Sequence, residues 1–328
     1  MRAKCALLVG LAGACSAPAP IHPNAAATGP LSLAADAQMI AIPAGRFIAG
    51  STPEERDAAY DDFRATAERD TAREHDWFGA EEARHQVTTP GYRIDLMPVT
   101  EAAYAEFVAA GKAPPPAIDE TAWKATGFTQ DYATQVARFV WHGGAPPTGR
   151  EDHPVVLVSW SEATAYCAWR GELAGSPRRL PTSDEYERAL RGDGGLSYSW
   201  GNAFEASKLN CAVGGPGDTT PVGAYPDGAS PFGVLDLAGN VGEWTSTPLD
   251  DKSGERPTRS AANGGAEVDD KSGERPTRSA ANGGDGEMTV KGSAWDDYGG
   301  LGRGAARHGR GKAVRHVIIG FRCAADAP

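Results

Sequence analysis

A chain of 328 residues that is 41% hydrophobic and 23% charged has the material for a sizeable buried core, in one large domain or two ordinary ones. Its formal net charge of −11 excludes general nucleic-acid binding, which needs a basic footprint. With 41 Gly and 24 Pro, the composition also disfavours a helical bundle and points to a loop-rich fold, because these residues interrupt helices and central strands.

At the N-terminus, Arg2 and Lys4 precede an apolar run from Cys5 to Ala14. The run is shorter than the roughly 20 residues that cross a bilayer and reads as an export signal. Ala12-Gly13-Ala14-Cys15 resembles a bacterial lipobox, with residues 1–15 as the signal and Cys15 as the lipidated residue. The alternative is ordinary cleavage near Ala14 or Ala17. The expectation is an exported protein of the bacterial envelope or periplasm, touching the membrane only through its N-terminal lipid anchor; secretion is the alternative. Residues 16–38 read as a flexible linker. Beyond the signal only Cys167, Cys211 and Cys323 remain, enough for one disulfide and one free thiol, with the pairing open.

Globular sequence begins at Met39, where an alternating run to Pro43 and the segment Gly45 to Gly50 predict a hairpin. Ser51 with Glu54 reads as a capping box before an acidic helix; residues 54–82 hold eleven acids against four arginines. Val87 to Ile94 reads as a strand. Thr100 caps a helix that carries Tyr104, Phe107 and Val108 and stops at Gly111. Val155 to Val158 predicts a buried strand leading into a helix with Ala165, Tyr166, Cys167 and Trp169. Thr182 with Glu185 opens another helix, ending near Gly192. Later apolar pieces such as Val234-Leu235 and Val317-Ile318-Ile319 predict short strands. Asp250 to Gly265 recurs unchanged from Asp269 to Gly284, without a Val, Ile, Leu, Met or aromatic residue in either copy. Lacking an apolar face, this duplication at 250–284 reads as a disordered surface loop rather than a stacked repeat.

Several segments in order resemble the formylglycine-generating (sulfatase-modifying factor) family. They are Ile42-Pro43-Ala44-Gly45 with Phe47 and Gly50-Ser51; Pro98-Val99-Thr100; His153-Pro154-Val155 with Val158-Ser159-Trp160; Ala165-Tyr166-Cys167; Arg179-Leu180-Pro181-Thr182 with Glu185; Gly239-Asn240 with Glu243-Trp244; and Gly320-Phe321-Arg322-Cys323. The resemblance covers most of residues 39–325. It implies one α+β domain of C-type-lectin-like fold, with short antiparallel strands and few helices. It also implies a Cys167–Cys323 disulfide, leaving Cys211 as a buried thiol. A structural calcium site at Asp236, Gly239, Val241 and Glu243 follows, with Asn210 and Asp218 assigned to a second, since calcium takes six or more hard oxygens.

Enzymes of this family oxidise a cysteine of sulfatases with copper(I) on two thiolates, the soft ligands that ion prefers. Here Asp296 and Leu301 stand at those two positions, and Gly242 replaces the tryptophan that usually precedes Glu-Trp. The resemblance therefore implies a scaffold without the copper oxidation, binding a peptide or protein in the family cleft. Cleft candidates are Ser293, Trp295, Asp296, Arg307 and His308. A divergent non-haem iron oxidoreductase is the alternative, with His308, His316, Asp296 and Asp297 as possible ligands, although their spacing matches no ligand motif. A glycan-binding module is a second alternative, resting on the fold. Arg303, Arg307, Arg310, Lys312, Arg315 and Arg322 form a basic tract that suits an anionic ligand or, equally, salt bridges to the acidic 54–82 segment.

Overall fold

The computed structural model describes residues 38–128, 130–249 and 286–328. The expected signal and linker, up to residue 37, and the duplicated segment lie outside the described residues. The chain forms short strands and helices joined by long ordered loops, the mixed architecture expected. Strand β1 (Met39–Ile42) pairs antiparallel with β4 (Tyr92–Asp95), which also takes the C-terminal strand β9 (Ala324–Asp326). Both ends of the domain thus share one sheet. β2 (Gly45–Ala49) pairs with β3 (His85–Thr89). The run expected as one strand from Val87 to Ile94 is two, because Pro90 lacks an N–H and Gly91 turns the chain.

A four-stranded sheet in the order β7-β6-β5-β8 sits centrally. It comprises β5 (Gly242–Pro248), β6 (Glu287–Lys291), β7 (His308–Gly311) and β8 (Ile319–Gly320). β5 and β6 pair directly, Glu243 opposite Lys291 and Pro248 opposite Met288. The duplicated segment therefore joins two strands that are neighbours.

Helices start where capping chemistry satisfies their first N–H groups. α1 (Pro53–Ala67) begins one residue later than the sequence suggested. Thr52 is its N-cap, Glu55 closes the box, and Pro53 occupies the first turn. Ser51 instead forms a bridge with Ala83. The acidic helix is also interrupted: Glu68 turns left-handed, and a short α2 (Thr71–Glu74) follows. α3 (Glu101–Ala109) starts at Thr100 as expected, and α4 (Glu120–Ala125) is capped by Asp119. α5 (Trp160–Ala174) is capped by a Ser159–Glu162 box, and α6 (Ser183–Arg191) by Thr182 and Glu185. Val155 to Val158 is fully buried but is not a strand. Leu157 has φ +59°, which breaks the extended run.

The main core packs Tyr104, Phe107, Tyr166, Trp244, Trp295 and Phe321 among aliphatic residues of the central sheet, α3 and α5. The Cys167–Cys323 disulfide ties α5 to the segment before β9, with Cα atoms 5.6 Å apart, and Cys211 is a buried free thiol. A second cluster surrounds Tyr186, Leu190 and Leu237. A third gathers Tyr60, Phe63, Trp77, Phe78 and Leu301, fastening α1 to the chain near residue 300.

Candidate functional site

The segment after β6 carries the expected cleft residues; Ser293, Trp295 and His308 are buried, while Asp296 and Arg307 are partly exposed. Ser293 Oγ accepts the Gly239 amide at 2.9 Å. A side chain at Gly239 is barred, since its φ is +88° and a Cβ there would lie 2.7 Å from the Asn210 carbonyl. Ser293 therefore braces a turn. The Trp295 amide donates to the Asn240 carbonyl and its indole to the Val317 carbonyl. Its ring stacks on Phe139, and the Arg138 guanidinium lies 5.3 Å from its centre. Asp297 is drawn inward, its carboxylate accepting the Ala294 amide at 2.8 Å.

The two positions that would carry thiolates in the copper enzymes have diverged in opposite directions. Asp296 is partly exposed and accepts from Gln130 Nε2 at 3.4 Å. Gln130 stands just before a π-helical turn, Tyr132–Val136, which also sets Arg138 and Phe139 against Trp295. Such turns often occur at functional sites. Arg310, opposite Met288 on β7, is near enough for Asp296 and Glu287 to support its charge, while burial lowers its pKa. Leu301 is 1% exposed and belongs to the third apolar cluster, beneath α1. Gly300 permits that approach: a Cβ there would meet the Ala59 carbonyl at 2.4 Å.

The proposed iron ligands do not converge. His316 Nδ1 accepts the Ile318 amide at 3.2 Å, and its ring lies edge-on to Phe128 and Trp123. His308 is buried on β7 opposite Val290. Among the described residues no group of three or more His, Cys, Asp or Glu side chains is placed to hold a metal ion.

At the expected calcium ligands Asp236, Gly239, Val241 and Glu243, the Glu243 carboxylate is engaged by a guanidinium. Arg322 donates from Nε and Nη2 to the two Glu243 oxygens, both at 2.7 Å. The same guanidinium bonds the carbonyls of Asp95, Leu96, Leu235 and Asp236 at 3.0–3.3 Å. Tyr186 adds a hydroxyl to Glu243 at 3.2 Å. Burial pushes the Asp236 carboxyl up to about 6, and its Oδ2 accepts the Gly223 amide. At the second assignment, Asp218 is likewise engaged, held by both Arg150 nitrogens at 2.8 and 3.0 Å. Asn210 differs: its buried Oδ1 has no hydrogen-bond partner. A Cβ built on Gly215 would lie 2.9 Å from that oxygen and 2.2 Å from the Cys211 carbonyl, so the two oxygens converge.

The basic tract is largely consumed within the chain. Arg303 pairs with Glu81 and Arg307 with Glu82, both from the acidic segment, while Arg315 pairs with Glu162. Lys312 lies 5.2 Å over the Trp160 ring. The tract is thus mainly a set of internal ion pairs. The open surface nearby is a groove of about 540 Å³ between α4 and the segment before His316, lined by Ala117, Ile118, Asp119, Ala122, Val314 and Arg315.

Sequence reasoning missed Gln130 and Arg138, and gave Arg310 only as part of the basic tract, not as a neighbour of Asp296. Each meets Asp296 or Trp295 only through tertiary contacts; the bias of Asp131 toward capping a turn was the one local signal beside them.

The fold is shared with PvdO from Pseudomonas aeruginosa, with a TM-score of 0.58 and 22% identity over 88% of this chain and 94% of that one. The inactive C-alpha-formylglycine-generating enzyme 2 of Bos taurus is 33% identical over 240 residues, 64% of this chain and 70% of that protein. The formylglycine-generating enzyme of Mycobacterium tuberculosis is 31% identical over 287 residues, 74% of this chain and 90% of that protein. The family model of the sulfatase-modifying factor enzyme 1-like domain matches residues 26–327, and the chain belongs to that family.

Proposed function

We propose that this chain is an exported, non-copper member of its family that binds a peptide or protein partner in the cleft beside α4. The observation that carries the reading is the fate of the two thiolate positions. One is an aspartate hydrogen-bonded to Gln130, and the other is a leucine inside an apolar cluster. A carboxylate is a hard ligand and an alkyl group is no ligand, so copper(I) has no soft pair to hold it. The name of the bovine relative, an inactive formylglycine-generating enzyme, accords with this. The groove beside α4 is open and lined by small apolar side chains with polar ends, a surface suited to an extended chain rather than an enclosed small molecule.

The full chain, loaded with copper(I) and given a sulfatase-derived cysteine peptide, is expected to form no aldehyde; copper-dependent aldehyde formation would overturn the reading. Peptides selected on the immobilised protein should bind in a manner lost in Ala122→Arg, a substitution at an exposed position of the groove. Displacement by soluble sugars instead would favour a lectin-like module. Cys15→Ala should release the protein from membranes if the lipid anchor exists. For a structural calcium, the proposed ligands are Asp236, Gly239, Val241 and Glu243, with Asn210 and Asp218 at a second site, where Asn210 Oδ1 lacks a hydrogen-bond partner. Calcium should raise the melting temperature of the parent protein, and by less in Asn210→Leu; an equal rise in both would refute the second site.

A further inference from the structure

The open groove beside α4 has two walls, the α4 side with Ile118, Asp119 and Ala122, and the segment Ala313 to Arg315. The walls are fixed relative to each other, because Trp123 of α4 and Phe128 both pack edge-on against the ring of His316, the residue that follows the second wall. Most charges around the groove are matched within the chain. Arg315 donates from Nη1 to the Leu157 carbonyl at 2.8 Å and pairs through Nη2 with Glu162. Lys124, on α4, pairs with Glu120 at 2.7 Å. Two charges remain, one of each sign and one on each side. Asp119 is exposed; its Oδ1 accepts the Ala122 amide at 2.8 Å, and no cation is paired with it among the described residues. Lys312 adjoins Ala313 on the opposite wall. In the tract from 303 to 322, Arg303, Arg307, Arg315 and Arg322 each have a carboxylate partner, and Arg310 has Glu287 and Asp296 near it. Lys312 has no carboxylate partner among the described residues. Its ammonium lies 5.2 Å from the centre of the Trp160 ring, and its carbonyl accepts the Trp160 amide at 3.1 Å.

We propose that the peptide bound in this groove carries charges of both signs, with a basic side chain set against Asp119 and an acidic one against Lys312. The inference rests on the peptide-binding reading above and names the chemistry of the partner. A segment with a single charge, or with none, leaves one side of the groove unmatched, and a segment lying the opposite way meets like charge on both sides. Each pair is solvent-exposed, so each contributes only about 1.5- to 5-fold in Kd. The apolar contacts with Ile118, Ala122 and Val314 supply the affinity, and the two charges select the partner and the direction in which it lies.

The test is a library of short random peptides displayed on phage, selected on the immobilised full chain and sorted for binding that Ala122→Arg removes. The selected peptides should share one basic and one acidic residue. Asp119→Asn, which keeps a capping side chain at the start of α4, should weaken such a peptide about 1.5- to 5-fold. It should leave unchanged the same peptide with its basic residue replaced by Met. Lys312→Gln should behave in the same way toward the acidic residue, so each pair appears as a coupling in a double-mutant cycle. Exchanging the two charged residues within the peptide should weaken binding to the parent chain more than replacing either one. Groove-bound peptides that lack the charge pair, or that bind both variants as tightly as the parent, would overturn the proposal and leave the peptide-binding reading standing. Recovery of no peptide sensitive to Ala122→Arg would overturn both.

Discussion

Glu243 and Glu101 are both buried, and they are treated in opposite ways. Glu243 has both oxygens bonded by Arg322 and a third donor from Tyr186. Glu101, the first residue of α3, has one oxygen bonded by the Trp141 indole, while the other is buried without a partner. The nearest charges to Glu101 are Arg150, which favours its ionised form, and Glu151, which opposes it. Burial wins and pushes the Glu101 carboxyl up to about 8. The contrast is one of partners: Glu243 has a fixed, bidentate guanidinium against it, whereas Glu101 lacks one and is protonated at neutral pH.

The largest way to break the comparison is to make Glu243 resemble Glu101. Arg322→Met should cost about 3–5 kcal/mol, measured by denaturant unfolding, because it leaves a buried charge uncompensated. Adding Glu243→Gln should recover part of that loss; no recovery would mean the guanidinium acts mainly through its four carbonyl contacts.

Glu101→Gln tests the other side. The folded pKa is raised above the ordinary carboxyl value, so the unfolded chain loses its proton first. Parent stability should therefore fall as pH rises from about 4.5 to about 8, by up to about 1.4 kcal/mol per unit. Glu101→Gln should lack this slope, and parallel pH–stability curves would count against a protonated Glu101. A smaller effect is expected from Trp141→Phe. Removing the one donor should raise the Glu101 pKa further and extend the falling limb to higher pH, with a loss of about 1 kcal/mol beyond the packing change. An unchanged limb would show that the indole does not govern this carboxyl.

Local rules exposed much of this architecture in the sequence. Thr182 and Glu185 announced α6 because a capping box is complete within four residues. The motif order identified the family, and with it the disulfide. What stayed hidden depends on contacts between distant segments. Glu243 and Arg322 were both visible in family motifs, yet their pairing was not, because 79 residues separate them. Gln130 facing Asp296 across 166 residues gave no local sign at all. Glu101 reads in sequence as an ordinary first-turn acid, and only the packing of Trp141 against it reveals a buried one. Leu301 could be seen to break the copper motif, but not that α1 builds an apolar cluster over it.

The pairing of β5 with β6 has an evolutionary consequence. Because Pro248 and Met288 are partners in one ladder, the ends of the intervening segment are held side by side whatever its length. Closing a longer connection between fixed ends costs only about 0.6 kcal/mol per doubling. Duplication of a 16-residue unit with no large hydrophobic side chain therefore meets little selection against it from stability. The hairpin is an insertion port, where the lineage can add or delete sequence and test new surface chemistry without renegotiating the fold.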